Sequence, residues 1–258
     1  MKNSNVDKES FGIIFRDSER NRFLIHSLVE NAMLPADVVH LLPTDMLYKS
    51  ERGKNFYLIA LIWSLINRLR LYDEIRGLID SIFFSKHVPL VSKVLRSICK
   101  YTPIDCKNIN DQKIVEYVRD SAVHYWLVLD GSIVRQDLFE TGKQFLNSHK
   151  GYLPDVRGLS STKWAILTKK PFGASVHLMD SGVDTGPILY REQFPITNNS
   201  PNTSLYAEWQ MQKHTLLKSL ALLSTENYNF QIQEGGMYFS SLHPILAELA
   251  LHLQSENR

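Results

Sequence analysis

The feature that most constrains the fold is an alternation, early in the chain, of short apolar runs with an amphipathic stretch. Phe11-Gly12-Ile13-Ile14-Phe15 is apolar and bounded by Arg16, Asp17 and Ser18. Residues 23–32 then place Leu24, Ile25, Leu28 and Val29 at helical spacing, and residues 37–42 form a second short apolar run. Strand, helix, strand in that order implies a parallel sheet.

The pattern resumes further along. Asn110 or Asp111 can cap a helix running through Asp120, with Ile114, Val115 and Val118 on one face. Residues 124–130 read as a strand, Gly131-Ser132 as a turn, 136–141 as a helix and 144–147 as a strand. Beyond the Arg157-Gly158 turn, 159–168 reads as a helix, 174–179 and 187–194 as strands, and 203–223 as a long amphipathic helix. A hairpin is expected around Glu234-Gly235-Gly236, and a terminal helix from Leu242. Between the sheet elements, residues 45–100 read as a helical insertion broken at Pro89. Its apolar face, including Leu58, Leu61 and Leu65, has three readings: packing over the core, a homodimer face, or a wall of a ligand pocket. The simplest organisation is a main domain over 1–200 with a short C-terminal extension over 201–258.

Composition narrows the function classes. The 29 basic and 27 acidic residues give a net charge of +2, so no overall field points to nucleic acid or a membrane surface. The two cysteines, Cys99 and Cys106, fit neither a CxxC motif, a zinc site nor a disulfide framework, and no metal is expected. The polar N-terminus shows no secretory signal, and the apolar run 56–66 is shorter than the roughly 20 residues of a spanning helix. A cytoplasmic protein is therefore expected.

Three segments carry chemistry: Asn147-Ser148-His149, Leu153-Pro154-Asp155-Val156-Arg157-Gly158, and the run from His177 through Asp184-Thr185-Gly186-Pro187. Taken singly, a strand-end Asn forms turns, an isolated His is structural, and Asp-Thr-Gly-Pro is a turn. Together they place an amide, an imidazole and a carboxylate at strand ends, where open parallel sheets bind ligands. Such a set suits attack of an amine on a carbonyl. Asn147 and His149 offer N–H donors to the oxyanion, while His149 exchanges the amine proton and Asp184 orients it or accepts the proton through water. His177 is expected to be a packed, hydrogen-bonded residue of the sheet.

Asn147-x-His149, Leu-Pro-x-x-Arg-Gly and Val183-Asp184-Thr185-Gly186, in that order, resemble the signature of the folate-dependent formyltransferases. That family includes glycinamide ribonucleotide formyltransferase, methionyl-tRNA formyltransferase and the sugar N-formyltransferases of lipopolysaccharide biosynthesis. The resemblance is good over residues 108–195 and loose at the first strand and helix. It implies an α/β fold, a Rossmann-type and mostly parallel sheet with helices on both faces, and N10-formyltetrahydrofolate as formyl donor. It further implies that Gly131, Ser132 and Ile133 lie beside the pterin, that Met179, Asp180 and Val183 supply main-chain contacts to it, and that Leu153 shapes the site.

Departures from the family pattern narrow the acceptor. No glycine-rich phosphate loop follows the first strand, where Arg16-Asp17-Ser18-Glu19-Arg20-Asn21-Arg22 stands. The stretch after Phe194 is too short for the barrel of methionyl-tRNA formyltransferases, and no regulatory domain precedes the first strand. What remains is most similar to the sugar N-formyltransferases, with a nucleotide-linked amino deoxysugar as the small-molecule amine acceptor. Lys150, Arg16, Arg20 and Arg22 are candidates for its pyrophosphate, against the alternative of solvated surface charge. An amino-acid or peptide amine, hydrolysis of the formyl donor, and a non-catalytic binding protein of the same fold stay open.

Overall fold

The computed structural model describes residues 11–43, 91–196, 201–225 and 228–256. The reading of 45–90 as a helical insertion lies outside the described residues.

The opening alternation folds as expected: β1 (Phe11–Arg16), α1 (Glu19–Glu30) and β2 (Asp37–Pro43), with β1 and β2 paired in parallel. Ser18 caps α1 by accepting from the Asn21 N–H, and Asp111 caps α3 (Gln112–Asp120) by accepting from the Lys113 N–H. Between them α2 (Val91–Ile98) leads into β3 (Lys100–Cys106). After α3 come β4 (Tyr125–Leu129), α4 (Gln136–Phe139), β5 (Gln144–His149), β6 (Val156–Gly158), α5 (Ser161–Leu167), β7 (Gly173–Leu178) and β8 (Ile188–Gln193). The chain continues through α6 (Pro201–Ser224), β9 (Met237–Phe239) and α7 (Pro244–Glu256).

The main sheet has seven strands in the order β3-β2-β1-β4-β5-β7-β8. From β3 to β5 every neighbouring pair is parallel, whereas β5–β7 and β7–β8 are antiparallel. It is a mostly parallel, Rossmann-like sheet whose strand order reverses between β1 and β4.

Successive side chains leave the sheet on opposite faces. Ile13, Phe15, Leu127, Leu129, Leu146 and Val176 face α1, α2 and α6, in one cluster with Leu24, Leu28, Leu95, Leu216 and Leu220. Ile14, Val39, Trp126, Val128 and Phe145 face α3 and α4, in a second cluster with Ile114, Val118 and Leu138. Burying both faces removes the amphipathic alternation that would otherwise mark the strands. Because α6 contributes Leu216, Leu220 and Leu223 to the first cluster, it shares its core with the first two strands.

Two expectations are corrected. The helical reading through Lys100 is replaced at its end by β3, which among the described residues is an edge strand and accommodates Pro103 because one of its sides has no ladder to complete there. The hairpin expected around Glu234-Gly235-Gly236 does not form. Gly235 and Gly236 turn the chain with φ of +67° and +91°, but β9 then pairs in parallel with β6, within the segment read as a turn.

Candidate active site

The register of the sheet assembles the site. Val128 of β4 lies opposite Asn147 of β5, and Asn147 lies opposite His177 of β7. The alternation that sends Phe145 toward α3 and α4 sends Asn147 and His149 to that same face, at the C-terminal end of β5. Leu146 and Ser148 point the other way, toward α1 and α6.

Asp184 is delivered by the loop between β7 and β8. Its φ of +53° is in the left-handed region, which few residues other than glycine occupy and which Asp and Asn tolerate better than most. Gln233 holds that conformation by donating from Nε2 to the carbonyls of Asp184 at 3.1 Å and Gly186 at 2.5 Å, and it accepts from Arg157 Nε at 3.3 Å. The Asp184 carboxylate then meets four partners. Asn147 Nδ2 donates to Oδ1 at 3.2 Å, His177 Nε2 lies 3.3 Å from the same oxygen, the Gly158 N–H donates to Oδ2 at 2.9 Å, and His149 Nδ1 lies 3.4 Å from Oδ2. Gly158 has φ of +87°, and a Cβ there would stand 2.2 Å from the Phe239 carbonyl oxygen, so β6 can close on β9 only with glycine at this position.

The two imidazoles can be assigned by their carbonyl partners, since a carbonyl only accepts. His149 Nε2 is 3.0 Å from the Val156 carbonyl and 3.3 Å from Ser161 Oγ, whose hydrogen goes to the Gly158 carbonyl. Nε2 therefore carries the hydrogen, and in the neutral ring Nδ1 presents its lone pair beside Asp184. His177 Nδ1 donates to the Leu178 carbonyl at 2.7 Å, and its Nε2 lies 3.2 Å from Asn147 Nδ2 and 3.3 Å from Asp184 Oδ1. Asn147 Nδ2, His177 Nε2 and Asp184 Oδ1 thus form a compact triangle with sides of 3.2, 3.2 and 3.3 Å.

The electrostatics follow from burial. His149 is 7% exposed, and desolvation pushes its pKa below the ordinary value; Asp184 opposes this, while His177 and Lys150 reinforce it. Burial also works against ionisation of Asp184, but the His177 and His149 rings and the Gly158 N–H outweigh it and hold the carboxyl at about 2. At neutral pH the site is a carboxylate beside a neutral imidazole whose vacant nitrogen faces it.

The expected trio of Asn147, His149 and Asp184 is brought together. His177 is buried and hydrogen-bonded, as expected, but it also touches both Asn147 and Asp184, a contact signalled in the sequence only by its place on a neighbouring strand. Gln233 was not legible at all, because nothing local marks a residue that acts on a loop 47 positions upstream. The N–H of His149, expected to face an oxyanion, points instead to Val156.

Of the residues expected near a pterin, Gly131, Ser132 and Ile133 form the loop leaving β4, where Ile133 is 69% exposed and its carbonyl accepts from Asn110. Met179 gives its N–H to the Phe145 carbonyl, Asp180 accepts from Gly182 and Thr185, and Val183 is exposed. Leu153 is fully buried; its N–H donates to Ser175 Oγ and its carbonyl accepts from Arg191, which leaves it a supporting residue without a free main-chain group. The four candidate cations are all engaged within the chain: Arg16 with Asp130, Arg22 with Asp17, Lys150 with Glu208, and Arg20 with Gln212 and the Ser148 carbonyl. A cavity of about 440 Å³ lies between α5, α6 and α7, but none of Asn147, His149, His177 and Asp184 lines it, so it is not where an acceptor would meet His149. Among the described residues no cluster of His, Cys, Asp and Glu could hold a metal ion, and no helix is long and apolar enough to cross a membrane.

Comparison with known proteins gives a consistent outcome. A family profile described as Formyl transferase matches residues 92–220, half of the chain. Methionyl-tRNA formyltransferase of Clostridium tetani is 26% identical over 154 residues, which are 57% of this chain and 50% of that protein. The chain thus spans about half the length of that curated relative. Among solved structures, a sugar N-formyltransferase from a Shewanella species superposes with a TM-score of 0.57 at 18% identity, covering 95% of this chain and 87% of its own. An N-formyltransferase from Helicobacter canadensis, in complex with folinic acid and dTDP-3-aminofucose, gives 0.54 at 18% identity, covering 90% and 70%. With the profile spanning the strands that carry Asn147, His149 and His177, and the loop that carries Asp184, the chain belongs to the formyltransferase family.

Proposed function

We propose that this protein transfers a formyl group from N10-formyltetrahydrofolate to the primary amine of a small acceptor, a nucleotide-linked amino deoxysugar. The observation that carries the reading is the convergence of Asn147, His149, His177 and Asp184 within hydrogen-bond reach at the C-terminal end of β5.

The formyl donor supplies a carbonyl carbon activated by its N10 leaving group. Its fit rests on the exposed loops 131–133 and 179–183, where Ile133 and Val183 offer apolar surface to a planar ring. The chain's own part is positioning, oxyanion stabilisation and proton transfer. The Asn147 amide donates a hydrogen to the developing oxyanion. His149, its Nε2–H fixed on Val156, takes the ammonium proton at Nδ1. The imidazolium formed there pairs with Asp184, already ionised, so a positive charge that burial disfavours arises 3.4 Å from its counter-ion. The same proton is then available to the departing nitrogen.

The sugar acceptor is supported by the coverage of 87% of the Shewanella chain and 70% of the Helicobacter chain, against half of the tRNA-acting relative. The test follows the absorbance change from formyltetrahydrofolate to tetrahydrofolate with a panel of amino-sugar nucleotides, dTDP-3-aminofucose among them, and with methionyl-tRNA in parallel. Turnover with a sugar nucleotide is expected. Turnover only with methionyl-tRNA moves the acceptor assignment, turnover without any amine makes the protein a hydrolase, and none under any condition removes the reading.

A further inference from the structure

Behind β5, on the face turned from the acid–base network, a second set of polar side chains meets the same strand. The Ser148 carbonyl accepts from Gln212 Nε2 at 2.7 Å and from Arg20 Nη2 at 3.2 Å, and Arg20 Nε donates to Gln212 Oε1 at 2.8 Å. Gln212 and Ser148 are buried. This carbonyl belongs to the planar peptide unit joining Ser148 to His149. Its direction therefore sets where the His149 side chain leaves the backbone.

A second clasp follows one step along. Lys150 Nζ meets Glu208 Oε2 at 2.9 Å, and Thr162 Oγ1 donates to Glu208 Oε1 at 2.6 Å. Glu208 and Gln212 are four residues apart on α6 and so project from one side of it. The arrangement is expensive for a purely structural purpose. Burial pushes the Arg20 guanidinium down to about 10, with Glu208 as the opposing charge. An apolar side chain of similar length would fill the space with less desolvation. It would not grip a carbonyl.

We propose that Arg20 and Gln212 are positioning residues that aim the His149 imidazole by holding the Ser148 carbonyl from behind the strand. Neither touches a reacting atom, and the inference rests on His149 being the base of the proposed reaction. Gln212 is the direct anchor, with the shorter bond; Arg20 fixes the rotamer of Gln212 and adds a second donor.

The test compares the full-length wild type with Gln212→Leu and Arg20→Lys through two independent readouts. One is kcat and KM for formyl transfer. The other is the pH titration of the His149 ring followed by NMR, its resonance identified by absence in His149→Ala. The charged and titratable groups that face this ring, Asp184, His177 and Lys150, are unchanged in both variants. Gln212→Leu is expected to lower kcat about tenfold with KM within about twofold, as loss of one orienting hydrogen bond does, and to displace the His149 titration. Arg20→Lys, which keeps a donor and the charge, is expected to lose about threefold. A lowered unfolding midpoint with kcat and titration unchanged would make the cluster merely structural and overturn the inference, as would a rise in KM alone. If Gln212→Leu does not fold, Arg20→Lys carries both readouts. If the wild type transfers no formyl group, the titration decides alone: a displaced midpoint supports the positioning role and an unchanged one removes it, while the reaction fails separately.

Discussion

The two faces of β5 differ in kind although they alternate residue by residue along one strand. Asn147 and His149 face groups that can exchange partners: an amide, two imidazoles and a carboxylate within hydrogen-bond reach of one another. Ser148, and Lys150 just past the strand's end, meet a different set: the Arg20 guanidinium, the neutral Gln212 amide, and a buried Glu208 held below its ordinary value by Lys150 and Thr162. On the proposed mechanism the front redistributes protons while the back stays as it is. A reaction centre on a strand needs both, because proton transfer tolerates little error in distance.

The comparison is broken most severely from the front. His149→Ala and Asn147→Ala are each expected to lower kcat/KM for formyl transfer by about a hundredfold or more, the usual loss for a general base or an oxyanion donor, with circular dichroism unchanged. Activity within a few-fold of wild type in either variant would show that the front network is structural.

Asp184→Asn tests the counter-ion. It is expected to reduce kcat by about tenfold to a hundredfold, since the imidazolium then forms without its partner. It also carries a stability signature. The folded carboxyl at about 2 lies below its unfolded value, so its contribution is present above about pH 4 and is lost as the pH falls toward 2. The variant should lack that acid-induced loss in denaturant titrations, and an unchanged acid limb would show that the carboxylate is not held as described.

A third effect is read without mutation. Burial keeps the His149 ring neutral below its ordinary pKa of about 6.5, so the rate is expected to stay level from pH 8 to about 6.5 and to fall only at lower pH. Stability falls in the same direction, because the unfolded ring takes up a proton before the folded one. A rate limb centred above pH 7 would place the titrating base elsewhere.

The smallest effect is expected at the rear. Lys150→Ala removes one partially exposed partner of Glu208, and its acceptor Kd by calorimetry should stay within about threefold of wild type. A loss of a hundredfold would instead return Lys150 to the phosphate-binding role that its ion pair speaks against.

Legibility followed the range of the interactions. β1, β2, β4, β5, β7 and β8 were visible because local apolar runs make them, and Asp111 announced α3 by its own chemistry. β3 was hidden by Pro103 and by polar residues tolerated only at an edge. β6 and β9 were hidden because their pairing joins segments about 80 residues apart, so each looks like a turn alone. In the site, Asn147, His149 and Asp184 were legible as a spaced motif. Gln233 and Gln212 were not, and Arg20 was marked only as a candidate phosphate ligand, since each meets a main-chain carbonyl far away in sequence, and a carbonyl leaves no mark in a residue code.

The alternation along β5 has a consequence for what the strand can survive. Side chains repeat every second residue, so one residue inserted or removed between 144 and 147 would turn the whole set over. The histidine would be driven toward α6 and the serine presented to Asp184, with composition almost unchanged. Swapping similar residues within the strand is a small perturbation, whereas changing its length by one is an inversion. For a segment of this kind, length is as much a determinant of chemistry as identity.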